Sequence, residues 1–83
     1  MIVIAGFYRF PLDQIEAVKP AMAKMIALSR AEPGCGHYAF SFDVVEPDMV
    51  RVSESWADED ALKAHAASAH MAEWRAASAA HGI

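Results

Sequence analysis

Two short runs of alternating residues, separated by a turn signal, constrain the fold of this chain more than any other feature. From Cys35 to Val45, Tyr38, Phe40 and Phe42 alternate with His37, Ala39, Ser41 and Asp43, which marks a strand with one aromatic face. Val50 to Trp56 alternates again and places Val50, Val52, Glu54 and Trp56 together. Glu46-Pro47-Asp48 turns the chain between them, so the two strands form a hairpin.

The segments around this hairpin complete an α+β pattern. Ile2 to Phe10 is apolar, β-branched and aromatic and stops at Pro11, as a strand would. Val3, Ala5 and Phe7 share one of its faces and Ile4, Gly6 and Tyr8 the other. Both are largely apolar, so the strand is expected to be covered by helices on one side and by a second subunit on the other. Asp13 is positioned to cap a helix whose apolar residues Ile15, Val18, Met22, Met25 and Ile26 recur at helical spacing. Pro20 lies inside it, where proline costs about 3 kcal/mol, and predicts a kink or a restart. Glu32-Pro33-Gly34 ends that helix. After the hairpin, Asp58 is a good N-cap, with Glu59 and Asp60 at the positive end of the helix dipole, for a helix reaching about Ala67. Ser68 caps a further helix that carries Met71 and Trp74 and is closed by Gly82. The order is β-α-β-β-α-α within one domain of 83 residues, without repeats or linkers.

A domain of this size buries only roughly two-thirds of its unfolded surface. Much of the 55% hydrophobic content is alanine, which adds little area, so a partner subunit is expected to supply the missing contact. Seven basic against eleven acidic residues give a net charge of −4. No Lys/Arg cluster exists to neutralise a run of phosphates, which argues against nucleic acid as a partner. No apolar run approaches the roughly 20 residues that span a bilayer, and the start lacks a charged leader. With a single cysteine, Cys35, these features lead to the expectation of a cytoplasmic protein without a membrane partner.

Candidate chemistry concentrates between Glu54 and Arg75, where two histidines and two tryptophans punctuate an alanine-rich helical background. His65 and His70 are five residues apart, which on a continuous helix turns their side chains roughly 140° from each other. Helical zinc motifs use a spacing of four. The two imidazoles converge only if the helix breaks at Ser68. Cys35 and His37 are expected on one strand face, yet no second Cys/His pair stands at zinc spacing, so no metal is expected. Cys35 reads as a small, half-buried, inert thiol. What remains is a pocket walled by Phe7, Phe40 and Trp56 from the strands and by His65, His70, Met71 and Trp74 from the helices. The aromatics and Met71 have a plainer explanation as core. Glu54 does not: flanked by Val52 and Trp56, its carboxylate needs a donor, and a helix histidine would serve.

These residues carry a resemblance. Glu32-Pro33-Gly34-Cys35 with Tyr38, then Glu54-Ser55-Trp56, then Ala61-Leu62-Lys63-Ala64-His65 and Ser68-Ala69-His70-Met71 resemble the antibiotic biosynthesis monooxygenase family, including its quinol monooxygenase-like members. The resemblance implies a ferredoxin-like α+β fold whose sheets pair face to face in a homodimer, forming a dimeric α/β barrel with one pocket per subunit. It also implies oxidation of electron-rich phenols, hydroquinones or polycyclic anthrone-type compounds by O₂ without metal or flavin, although other members do different chemistry. The family pattern continues with a fourth strand. Here the sequence stops at Gly82-Ile83, where that strand would begin, so a missing or truncated strand and an open sheet edge are expected. Haem-degrading relatives place an asparagine on the first strand and a distal tryptophan and histidine. Phe7 and His65 stand at the first two of these positions, which disfavours haem.

The leading expectation is therefore a cofactor-independent monooxygenase acting on a small aromatic compound and O₂. The catalytic candidates are His70, His65 and Glu54; Phe7, Phe40, Trp56, Met71 and Trp74 are the candidate substrate contacts. His70, in the first turn after the Ser68 cap, is expected to be the general base, with His65 orienting the substrate and Glu54 as a possible orienter. Two other classes use the same features: a non-catalytic binding or stress-response module, and an isomerase or cyclase on the same scaffold.

Overall fold

The computed structural model describes all 83 residues. Strand β1 (Ile2–Arg9) leads through a 3-10 turn at Leu12–Gln14 into helix α1 (Ile15–Arg30). Strands β2 (Cys35–Phe42) and β3 (Met49–Trp56) follow, and then helices α2 (Glu59–Ala66) and α3 (Ala69–Ala80). The α+β order is the one the periodicities predict. The strands form one antiparallel sheet in the order β1-β3-β2, with β3 central and β1 at an edge.

The register decides which side chains meet. Gly6 and Phe40 both lie opposite Val52, whereas Phe7 and Ser41 lie opposite Arg51. Alternation then puts Ile4, Tyr8, Phe40, Val52, Glu54 and Trp56 on one face and Val3, Ala5, Phe7, Arg51 and Ser53 on the other. The first face carries the helices: Tyr38, Val50 and Trp56 pack with Val18, Met22 and Met25 of α1 and with Trp74 of α3. Burial of side chains this size contributes about 1.5–3 kcal/mol each. The other face is open, and Val3 and Phe7 there are 68% and 56% exposed. No helix is long and apolar enough to cross a membrane.

Four local expectations are corrected. Asp13 does not cap α1: Gln14 holds the cap position without a side-chain bond, because residues 12–14 are already wound into the 3-10 turn. Pro20 does not interrupt α1. It forfeits a single N–H bond, and buried Val18, Met22 and Met25 hold both flanks against the sheet. The second strand ends at Phe42, short of Val45, since the Asp43 carboxylate accepts the N–H groups of Val45 and Glu46 and folds the chain into a turn. Cys35 and His37 do not share a face. A register shift between them pairs Cys35 with Trp56 and His37 with Ser55. His37 Nε2 bonds Ser53 Oγ at 2.8 Å, while Cys35 packs against the core.

The two later caps are as the sequence predicts. Asp58 Oδ1 accepts from the Ala61 N–H at 2.8 Å, and Ser68 Oγ accepts from the Met71 N–H at 3.2 Å. Ser68 has extended backbone (φ −69°, ψ 153°), so the helical path breaks there and α3 starts afresh.

Candidate active site

The break at Ser68 allows two imidazoles five residues apart to converge on one carboxylate. His65, near the end of α2, directs Nδ1 to Glu32 Oε2 at 2.6 Å. His70, in the first turn of α3, places Nε2 3.3 Å from the same oxygen. The angle is too poor for a hydrogen bond, which leaves His70 Nε2 buried without a partner. Glu32 reaches this position from the turn after α1. Gly34 makes the turn possible: its φ is +82°, and a Cβ there would lie 2.7 Å from the Ala61 Cβ, so the turn packs directly onto α2.

A second carboxylate stands on the other side of His65. His65 Nε2 lies 3.9 Å from Glu54 Oε1, and Trp56 Nε1 donates to that oxygen at 2.9 Å. The His65 ring lies against Trp56, with centroids 4.5 Å apart, and 5.3 Å from the ring of Tyr38. The side chains of Glu32 and Glu54 are only 15% and 13% exposed. Neither pairs with lysine or arginine; their side-chain partners are imidazole and indole. Charge density of this kind away from water is expensive unless hydrogen bonds or protons are exchanged within it.

Glu54 also opens on a cleft of about 210 Å³ along β1 and β3, bordered by Ile4, Gly6, Phe7, Tyr8 and Val52. A Cβ on Gly6 would meet nothing within 4 Å, so the glycine leaves space beside the strand. A cavity of about 150 Å³ holds a benzene ring, which makes this cleft a match for one substituted aromatic ring. Tyr8 forms a wall, its hydroxyl accepting from Trp74 Nε1 at 3.2 Å and its ring 6.0 Å from that of Phe40.

Of the residues singled out from the sequence, the fold gathers Glu54, Trp56, His65 and His70. Phe40, Met71 and Trp74 are packed in or against the core, and Trp74 reaches the cleft wall through Tyr8. Phe7 borders the Glu54 cleft but is not gathered with Phe40 and Trp56: its ring belongs to the open face, 5.6 Å from the Arg9 guanidinium. Glu32 and Tyr8 were missed as site residues. The signals present were the Glu32-Pro33-Gly34 block, read only as a helix stop, and the shared face of Gly6 and Tyr8. Burial first, and then the charge of Glu54, push the Tyr38 hydroxyl well above its ordinary value. Burial and Glu32 raise the Cys35 thiol. Neither group is a neutral-pH nucleophile.

The family model described as antibiotic biosynthesis monooxygenase matches residues 1–77. Comparison with curated protein sequences gave no match. Among solved structures, a candidate antibiotic biosynthesis monooxygenase from Deinococcus radiodurans superposes with a TM-score of 0.93 at 20% identity, over 99% of this chain and 81% of that one. Identity that low shows the shared fold alone. A counterpart from Nitrosomonas europaea has a TM-score of 0.89 at 25% identity, over 98% and 85% of the two chains. A third structure, of an antibiotic biosynthesis monooxygenase, has a TM-score of 0.85 at 29% identity over 95% and 82%.

Proposed function

Because the chain belongs to the antibiotic biosynthesis monooxygenase family, we propose that it oxidises a single-ring phenol or hydroquinone with O₂, using its own carboxylate and imidazole groups and no bound cofactor. The observation that carries this reading is Glu54, which opens on a cleft walled by Tyr8 and sized for one ring and has His65 directly behind it. The phenolic proton passes to the Glu54 carboxylate and on to His65 Nε2. The 3.9 Å gap closes when substrate binds, as catalytic hydrogen bonds often do. Glu32 on Nδ1 holds the ring and balances the imidazolium that forms.

The phenolate gives one electron to O₂, and the radical pair recombines at a ring carbon. The resulting hydroperoxide loses the ring hydrogen as a proton. Its O–O bond breaks, the distal oxygen leaves as water, and a quinone remains. One oxygen atom of O₂ ends in the product and the other in water. The role of the protein is to strip the proton, exclude water and hold the flat ring. The sequence reading gave the proton to His70. In the present proposal His70 takes no proton from the substrate, because the cleft opens on Glu54.

Proteins of this family typically dimerise, and the open sheet face is the surface we assign to a second copy.

The test is oxidation of model hydroquinones under isotopically labelled O₂, with one labelled atom expected in the product. Glu54→Gln and His65→Gln should each lower turnover by about 10²-fold or more, and His70→Ala should lower it less. Gly6→Val should raise KM by filling the cleft, without loss of fold. Turnover that persists without O₂, or full activity in both Glu54→Gln and His65→Gln, would overturn the proposal. Recovery of unchanged ligand under O₂ would favour a binding module.

A further inference from the structure

We propose that Glu32, His65 and His70 form a binding site for one divalent transition-metal ion of the zinc or ferrous class. Glu32 Oε2, His65 Nδ1 and His70 Nε2 all lie within 4.8 Å of one another, on the turn after α1, on α2 and on α3. Two ligands bound at about 2.0–2.2 Å in tetrahedral or octahedral geometry stand roughly 3.0–3.5 Å apart. The Glu32 to His70 separation of 3.3 Å already falls in that range. The Glu32 to His65 contact of 2.6 Å is a hydrogen-bond distance and must widen by a few tenths of an ångström, within reach of a carboxylate rotation.

Three features favour an ion over the hydrogen bond alone. His70 Nε2 is buried and unpartnered, and directed bonding to a metal would satisfy it. Glu32 and Glu54 form no ion pair with lysine or arginine, so a cation would neutralise a carboxylate pair whose side-chain partners are imidazole and indole. Glu54 Oε1 stands behind His65 Nε2, where a metal-bound imidazole commonly donates its other N–H to a carboxylate. Two nitrogens and one oxygen suit zinc, ferrous iron or cobalt rather than calcium or magnesium. An approach exists as well: Glu32 borders an open cleft of about 330 Å³ shared with Pro33, Gly34, Ala57, Asp58 and Ala61.

The ion and the oxidation proposed above compete for one imidazole. With Nδ1 bound to metal, His65 holds its proton on Nε2 and takes none from Glu54, so the ion would switch the relay off. That consequence rests on the proposed function; the binding itself does not, and it is read without any substrate.

The experiment is titration of the chelator-treated full chain with Zn²⁺ by calorimetry and with Co²⁺ by visible absorption. One equivalent should bind, with cobalt bands of a nitrogen and oxygen donor set and a higher Tm. Glu32→Gln and His70→Gln should each abolish the bands while circular dichroism reports an unchanged fold. Glu54→Gln should weaken affinity about 10–100-fold as an outer partner, and His37→Ala should change nothing. Failure to saturate at millimolar metal, or a titration undiminished in both Glu32→Gln and His70→Gln, would overturn the site.

Discussion

The two faces of the sheet depart from ordinary partition in opposite directions. On the helix side, two carboxylates and two imidazoles are withdrawn from water among Tyr38, Trp56 and Trp74. On the open side, Val3 and Phe7 face solvent beside Arg51 and Ser53. A small domain gains no stability from burying Glu32 and Glu54, nor from exposing Phe7. The proposed oxidation rests on the first of these departures and the proposed contact with a second copy on the other.

The largest effect expected from this contrast comes from truncating an aromatic on each side. Trp56 is fully buried and holds both His65 and Glu54, so Trp56→Ala should cost about 3–5 kcal/mol and leave the small domain largely unfolded at room temperature. Phe7→Asp should leave the helix-side core intact, with unchanged circular dichroism. Its effect should appear in light scattering, as a fall from about twice the 9.0 kDa chain mass to a single chain at micromolar concentration. Equal unfolding by both variants would erase the distinction between the faces.

An intermediate effect is expected at Gly34, which ties the site to the fold. An alanine there must adopt φ near +82° and press its Cβ on Ala61, so Gly34→Ala should destabilise by about 1–2 kcal/mol in denaturant titration. Gly6→Ala, in open space on the helix side, should be neutral within about 0.5 kcal/mol. A Gly34→Ala variant as stable as the parent would mean that the turn carrying Glu32 is not fixed against α2.

These positions also show what the sequence makes legible. Period-two and helical patterns are properties of neighbouring residues, so the hairpin, the caps at Asp58 and Ser68 and the face shared by Val52, Glu54 and Trp56 are visible in the chain. The His65–His70 convergence is visible only as a condition on Ser68, because the new direction of α3 depends on packing. Glu32 was hidden as a ligand of His65 because 33 residues separate them and only the docking of the α1 turn onto α2 joins them. The register shift at Gly36, which separates Cys35 from His37, likewise follows from the partner strand. A Cβ on Gly36 would lie 2.7 Å from Ser55 Oγ.

The smallest effect concerns Asp43, a carboxylate in the turn after β2 whose side chain is as withdrawn from water as those of Glu32 and Glu54 but which, unlike them, pairs with an exposed arginine. Asp43 accepts the N–H groups of Glu46 and Val45 and the Arg51 guanidinium, at 2.8, 3.0 and 2.9 Å. The Glu46 N–H first, then Arg51 and the Val45 N–H, hold its carboxyl below the ordinary value of 3.8. A depressed folded value means that the unfolded chain takes up the proton first as pH falls. The contribution of Asp43 is therefore complete above the unfolded value and is lost as pH falls through the folded one. Solvent screens the Arg51 partner, which is 56% exposed, so the loss should be slight: a small drop in Tm below the ordinary carboxylate range, with faster amide exchange at Val45 and Glu46. Asp43→Asn should lower Tm slightly at neutral pH, and its difference from the parent should shrink in acid. A difference that stays constant from neutral pH to well below that range would show that the bonded carboxylate contributes nothing through its charge.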